Sequence, residues 1–469
     1  MRKTRRLAAV LLLLSAACGS APKRTAPDVD ITVPEAYGTE ADGSSLGAEW
    51  WSAFGSETLD SLIVLALERN HDLKEAAARL DAAAAEARIA GAATLPTLDL
   101  SADAARSRRN FIGFPVSGGS GKVASSTSTT YGVSLGSSWE LDLWGRVRSA
   151  KSAAAADYEA ALADLAGARL SLAAQTAKAY FALVEARMQV DLARETVDSY
   201  RRSTAGVRDR FERGIRSSLD LRLSLAALAG SEALYELRRE QHDRAMRQLE
   251  ILLGRYPGGS AGFAGALPDP PAPPPAGLPA DLVGRRPDVI AAERRLAASD
   301  ARVRQAKAAL FPSIRLTGSG GRSSQELGDL LDGDFTVWSI AAGVLQPIFR
   351  GGELRARVDL AGAGSRRALA SYANTLLRAY GEVESALAAE GFLAAREEAL
   401  TRASEQSAAA RALAEQRYRS GLEDFVTLLE AQRRALAAES ERIGIARLRL
   451  ENRVDLCVAL GGGFEENSR

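Results

Sequence analysis

Cysteine and histidine are the side chains that most often hold metals or attack substrates. This chain of 469 residues has two of each: Cys18, Cys457, His71 and His242. They lie too far apart in sequence to suggest a ligand cluster, so a zinc or other metal site has no donor set, and each histidine reads as a solvated helix residue. No GxxxxGK[ST] or GxSxG occurs. The cluster GSGG at 318–321 follows an alternating stretch and precedes polar residues, which is a loop context and not a phosphate cradle. No nucleophile, base and oxyanion donor can be assembled. Neither an enzyme nor a cofactor is implied.

Cys18 is the exception, because its setting gives the thiol a covalent role. Residues 1–18 read MRKTRRLAAVLLLLSAAC. Arg2, Lys3, Arg5 and Arg6 form a basic start, Leu7–Leu14 a short apolar core, and Ser15–Ala17 a small-residue approach to the cysteine. Such a segment is a secretory signal, too short to span a bilayer stably. It resembles a bacterial lipoprotein signal, in which the cysteine becomes the lipidated first residue, although Leu14 stands one place further from it than is usual. Acylation of Cys18 would leave Cys457 without an intrachain disulfide partner.

Composition narrows the partners. The 60 basic and 59 acidic residues give a net charge of +1, no footprint for nucleic acid. Aromatics are scarce at 6 % and alanine is abundant, which suits helices packed closely along their lengths.

After the signal, no segment has about 20 uninterrupted apolar residues, so only a closed barrel is left as a way through a membrane. Candidate strands exist. In TYGVSLGSSWELDL (130–143), Tyr131, Val133, Leu135, Trp139, Leu141 and Leu143 share one face and small or polar residues the other. FTVWSIAAGVLQPIF (335–349) behaves similarly, with Val337 out of pattern. The first strand of each pair follows a helical run and a proline, Leu95-Pro96 or Phe311-Pro312. One apolar face with aromatics and one small, polar face is the pattern of a strand between lipid and water.

The rest reads as helix. About 68 residues between Gly145 and Gly214 lack proline and would form a rod of roughly 100 Å. From Leu162 to Phe211, twelve of fifteen heptad-seam positions are apolar. Leu369, Ala373, Leu376, Tyr380, Val383 and Leu387 continue the pattern in the second half. The halves correspond: DLWGR (142–146) matches PIFRGG (347–352), and RFERGIRSSLDL (210–221) matches RYRSGLEDFVTLL from 417, with Gly214 and Gly421 as helix-ending glycines. Each half is helix, strand, strand, helix, helix. We therefore expect a signal peptide at 1–17, a lipid-anchored extended segment at 18–58 and a first repeat at 59–254 with strands near 95–108 and 130–143. A Pro/Gly-rich linker at 255–282 precedes a second repeat at 283–460, with strands near 312–322 and 335–348, and a tail at 461–469. Four strands cannot close a membrane barrel, so copies must share one; two would give eight strands and three would give twelve.

The blocks GRRPDVIAAERRLAASDARVRQAKAALFPSIRLTG (284–318), WELDLWGRVR (139–148) and YRSGLEDFVTLLEAQR (418–433) resemble TolC-type outer-membrane efflux proteins, in the NodT/OprM-like lipoprotein branch. The resemblance implies a mainly α fold with membrane β structure. It implies a homotrimer whose twelve-stranded barrel in the outer membrane continues as a long α-helical barrel through the periplasm. It further implies an exit duct, anchored in outer-membrane lipid, that docks with a periplasmic adaptor and an inner-membrane transporter. The competing expectation is a periplasmic coiled-coil adaptor without a pore. GRRPDV itself reads as a helix start, Pro287 in the first turn and Asp288 at the positive helix end. In the family, the second helix-pair turn lies at the periplasmic tip, where the tunnel closes. That makes Glu423 and Asp424 the gate candidates, with Arg216 and Asp220 of the matching turn as partners, since charges there become rings around the axis.

Overall fold

The computed structural model describes residues 49–112, 123–259, 266–274 and 282–462, together with positions 29, 34, 36, 37 and 47. Cys18 lies outside the described residues. The first half contains α1 (Glu57–Arg69), α2 (His71–Ala92), β1 (Thr97–Phe111), β2 (Ala124–Leu141), α3 (Arg146–Glu212) and α4 (Ser218–Leu252). The second contains α5 (Leu282–Arg285), α6 (Pro287–Ala308), β3 (Ser313–Ser324), β4 (Thr336–Leu345), α7 (Glu353–Arg419) and α8 (Phe425–Ala459). The duplication extends to element length. Helices α2 and α6 have 22 residues each, α3 and α7 have 67, and α4 and α8 have 35.

Two compact units result. One, drawn from residues 81–160 and 293–370, holds the sheet. Its four strands run antiparallel in the order β1-β2-β3-β4. Register sorts the side chains. Leu98, Leu100, Val133, Leu135, Ile314, Leu316, Trp338 and Ile340 share one face; Asp99, Ser101, Asp103, Ser134, Arg315 and Ser339 share the other. The polar face is tied across strands by hydroxyl pairs, Ser101 to Ser134 at 2.9 Å and Ser319 to Ser339 at 2.8 Å. Gly321 permits the β2–β3 approach, because a Cβ there would stand 2.2 Å from the Val133 carbonyl oxygen.

The strands run further than expected at the hairpin ends. β1 continues to Phe111, β2 begins at Ala124, and β3 reaches Ser324. Those extensions are rich in Ser, Thr and Arg, so they carry no apolar alternation, yet backbone ladder bonds hold them as strand. At the other end the helix-to-strand handovers are locked. Trp139 Nε1 donates to the Thr94 carbonyl (3.1 Å) and Trp144 Nε1 to that of Pro312 (2.8 Å), while Trp144 stacks on Phe311 with ring centroids 5.1 Å apart.

The second unit draws on residues 26–80, 161–292 and 371–469. Its largest core packs Trp50, Phe54, Leu59 and Ile63 against Tyr180 and Phe181 of α3, Leu249 of α4 and Leu450 of α8. The heptad on α3 is followed where the helix has few neighbours: Ala193, Val197, Tyr200, Thr204 and Val207 are all buried. Between Leu170 and Val184 the helix is buried on several faces, because the N-terminal segment and two other helices cover it. Leu162, at the start of the expected seam, is exposed. On α7 Leu376, Val383 and Leu387 are buried as the seam expects, while Tyr372, Ala379 and Ala386 are buried in place of Leu369, Ala373 and Tyr380.

The leading helix of each half is broken in two, at Asn70 and at Arg286, and each break has the corresponding partner in its half. Asn70 Nδ2 donates to the Leu252 carbonyl at the end of α4 (3.0 Å), and Arg286 Nη1 to the Ala459 carbonyl at the end of α8 (3.3 Å). Each long helix then ends on a positive-φ glycine pressed against the broken pair. A Cβ on Gly254 would meet the Arg69 carbonyl oxygen at 2.7 Å, and one on Gly461 that of Arg285 at 2.8 Å. Arg286 is buried and chelated by Asp288 (2.7 Å) and Glu382 (2.6 Å). GRRPDV therefore starts α6 at Pro287 and caps the end of α8 in the same stroke.

Gly461→Ala should accordingly cost more than Gly421→Ala. The second loses only the left-handed conformation, about 1 kcal/mol, in open space; the first adds a backbone collision and should exceed about 2 kcal/mol. Thermal unfolding of the purified variants in detergent compares them. Equal losses would mean that the Gly461–Arg285 contact is not a constraint.

Candidate functional site at the helix-pair turns

The α3–α4 and α7–α8 turns are built alike. Gly214 donates to the Phe211 carbonyl and Ile215 to that of Arg210; Gly421 donates to Tyr418 and Leu422 to Arg417. These are paired Schellman closures on left-handed glycines, φ +70° and +76°. The next helix starts in each case on a capping side chain. Ser217 Oγ accepts from the Asp220 N–H (3.2 Å), and Asp424 Oδ1 accepts from the Thr427 N–H (2.7 Å).

The two turns are clasped together within one chain. Arg210 donates to the carbonyls of Tyr418 (3.2 Å) and Arg419 (3.0 Å), occupying the free C-terminal end of α7. The Tyr418 ring has two guanidinium groups over it, Arg210 Cζ at 4.9 Å and Arg216 Cζ at 5.0 Å, and the Phe425 ring at 5.8 Å. Val207, Leu428 and Ala414 complete a small core beneath it.

Of the four gate candidates the structure brings three together. Arg216 donates to the Glu423 carbonyl (3.4 Å), Glu423 pairs with Arg417 (3.4 Å), and Arg216 adds a favourable charge beside Asp424. The Asp424 carboxyl is held below its ordinary range, first by the backbone N–H of Thr427, then by the Thr427 side chain, with Arg216 a smaller cause. Asp220 stands apart: its carboxylate makes no hydrogen bond or ion pair among the described residues. Arg210, Arg417 and Tyr418 were not among the candidates. They sit inside the matched blocks RFERG and RYRSG, but a repeat alignment does not say which copy's aromatic turns inward. Tyr418 is buried, while its counterpart Phe211 is exposed. For packing closure of a tunnel, Phe425 is unavailable at 1 % exposure and Leu422 is available at 71 %.

His242, expected to be solvated, is instead half-buried, and burial holds its imidazole below the ordinary range, with Arg187 a further cause. Cys457 is buried in the helical core, which pushes its thiol up to about 12. His71 is exposed on the first turn of α2, and no metal-binding cluster occurs among the described residues. No helix among the described residues is long and apolar enough to cross a membrane.

An antiparallel sheet with one apolar and one polar face, entered and left by long paired helices, defines a barrel-forming channel of the outer-membrane class. The chain belongs to the outer membrane efflux protein family, whose model matches residues 62–255 and 278–462. It is 34 % identical to outer membrane protein OprJ of Pseudomonas aeruginosa, over 98 % of this chain and 96 % of that one. It is 32 % identical to the toluene efflux pump outer membrane protein TtgF of Pseudomonas putida, over 99 % and 98 %. The solved outer-membrane channel OprN superposes with a TM-score of 0.86 at 32 % identity, covering 95 % of this chain and 99 % of that one. The protein is an outer-membrane channel of an efflux system, and the pore-free adaptor is set aside.

Replacing Asp424 separates its two properties. Asp424→Asn keeps an acceptor for the Thr427 N–H, whereas Asp424→Ala removes the cap and should loosen the first turn of α8. Because the folded pKa is depressed, the charged cap is complete above the ordinary carboxylate range and is lost only as pH falls below it. The protection factor of the Thr427 amide, its exchange rate relative to that of an unstructured amide at the same pH, should therefore be steady from about pH 5 upward in the wild type. Fast exchange in the Asn variant as well as the Ala variant would contradict the capping role.

Proposed function

We propose that three copies of the chain close one twelve-stranded barrel and act as the exit duct of a tripartite assembly with a periplasmic adaptor and an inner-membrane transporter. The sheet carries the proposal. It has four strands and one lipid-type face, and β1 and β4 are left as outer edges. Each unpaired backbone group in hydrocarbon costs several kcal/mol, so the edges must meet those of other copies. Three copies leave a passage lined by the Ser, Asp and Gly face, whereas eight strands would be filled by side chains. Planar-bilayer recording should give one conductance per trimer. Three independent steps, or a conducting monomer, would sink the shared barrel.

The helix-pair turns are the proposed gate. Arg417–Glu423 and Arg216–Asp424 form a charged girdle, and Asp220 is the carboxylate left to face a neighbouring copy. Charges about 4 Å apart interact by roughly 1–4 kcal/mol in partly exposed surroundings, so a threefold set can hold the tip closed until an adaptor competes for the helices. Glu423→Gln with Asp424→Asn keeps the cap while removing charge. It should raise resting conductance or alter cation preference with the trimer intact. If neither changes, closure lies with packing at Leu422.

Residues 1–17 are the proposed leader and Cys18 the lipidated residue, a reading that rests on the sequence. Labelled fatty acid should enter the wild type and not Cys18→Ser, which should still assemble; equal labelling of both would remove the lipid anchor.

A further inference from the structure

The apolar face of the sheet ends in arginine. Along β1 its positions run Leu98, Leu100, Ala102, Ala104, Arg106 and Arg108. The last two lie toward the hairpin, at the end of the strands away from the helices. Tyr131 stands opposite Ala104 on this face, one step before Arg106. Both arginines are exposed. Arg108 donates to Ser125 Oγ (2.9 Å), and Arg106 makes no hydrogen bond or ion pair among the described residues. Arg322, on the same face of β3, donates to the Leu330 carbonyl (3.0 Å). No strand carries a carboxylate on this face: Asp99, Asp103 and Glu140 all register on the other.

A guanidinium above an apolar band and an aromatic ring is placed to reach up from hydrocarbon to the headgroup layer. Two of them alternate along one strand about 7 Å apart, and each can take a phosphate through paired N–H donors. The strands leave the helices on the periplasmic side, so the hairpin end meets the outer leaflet. In an outer membrane that leaflet is phosphorylated glycolipid. We infer that Arg106 and Arg108, with Tyr131 beneath them, form a binding site for the phosphates of an outer-leaflet glycolipid. This rests on the sheet being a barrel wall.

The test uses full-length protein in nanodiscs doped with lipid A or with dephosphorylated lipid A, and counts retained lipid by native mass spectrometry after detergent exchange. Wild type should keep lipid A, and R106Q/R108Q should keep about tenfold less. R109Q, on the opposite face of the same strand, should match wild type. Inorganic phosphate should not displace the lipid. The site is overturned if R106Q/R108Q retains lipid A like wild type, if the dephosphorylated lipid is kept equally well, or if R109Q loses as much. It is also overturned if the double variant weakens only assembly, which would make the arginines a bridge between copies. Insertion and conductance in phosphatidylcholine bilayers are measured on the same samples. If wild type fails there, the barrel reading fails; if wild type and variant both conduct, lipid retention judges the site alone.

Discussion

Hydrocarbon offers a backbone amide no partner. That constraint governs the backbone of the sheet. It forces the membrane portion into strands, forces those strands into a closed ring, and leaves one chain of four strands incomplete. The polar face, free of that constraint, carries serine pairs. A hydroxyl on a barrel wall that finds another hydroxyl leaves less unsatisfied where water is confined. The tryptophan bonds at the helix-to-strand handovers follow from the same rule. Thr94 and Pro312 have left a helix and not yet entered the ladder, and an indole N–H reaches each of their carbonyls.

The helical unit answers a different constraint, the unsatisfied carbonyls at helix ends. One solution is used twice. A polar side chain at the break of the leading helix donates to the end of the last helix, and a left-handed glycine presses against it. The first copy uses Asn70, which is neutral and short. The second uses Arg286, whose charge then requires Asp288 and Glu382, since a buried guanidinium without carboxylates would be strongly destabilising. The same architectural need thus explains a conspicuous motif in one half and its apparent absence from the other.

Much of this was legible in the sequence. The proline handovers, the two-residue alternation and the glycines at 214 and 421 each signal a local backbone event, and local events survive translation into structure. What depends on neighbours was less visible. Half of the expected α7 seam, Leu376, Val383 and Leu387, is buried, and burial is displaced by one residue at Ala373 and Tyr380, because 3.5-residue spacing is fixed by one helix while its orientation is fixed by those around it. The strand extensions were hidden because Ser, Thr and Arg outside the apolar band show no contrast between faces. At the turns, charge was readable and pairing was not. Arg210 and Tyr418 are more than two hundred residues apart, and only packing of the repeats brings two guanidiniums over the ring.

That clasp bears on how a tip can open. The two turns of one chain share a core, a ring contact and carbonyl bonds, so separating them would expose Tyr418 and Phe425. The groups left outside the clasp include Leu422, which is exposed, and Asp220, whose carboxylate has no partner among the described residues. In the proposed gate, each pair of turns would therefore move as one body, with Arg210 and Tyr418 keeping it stiff.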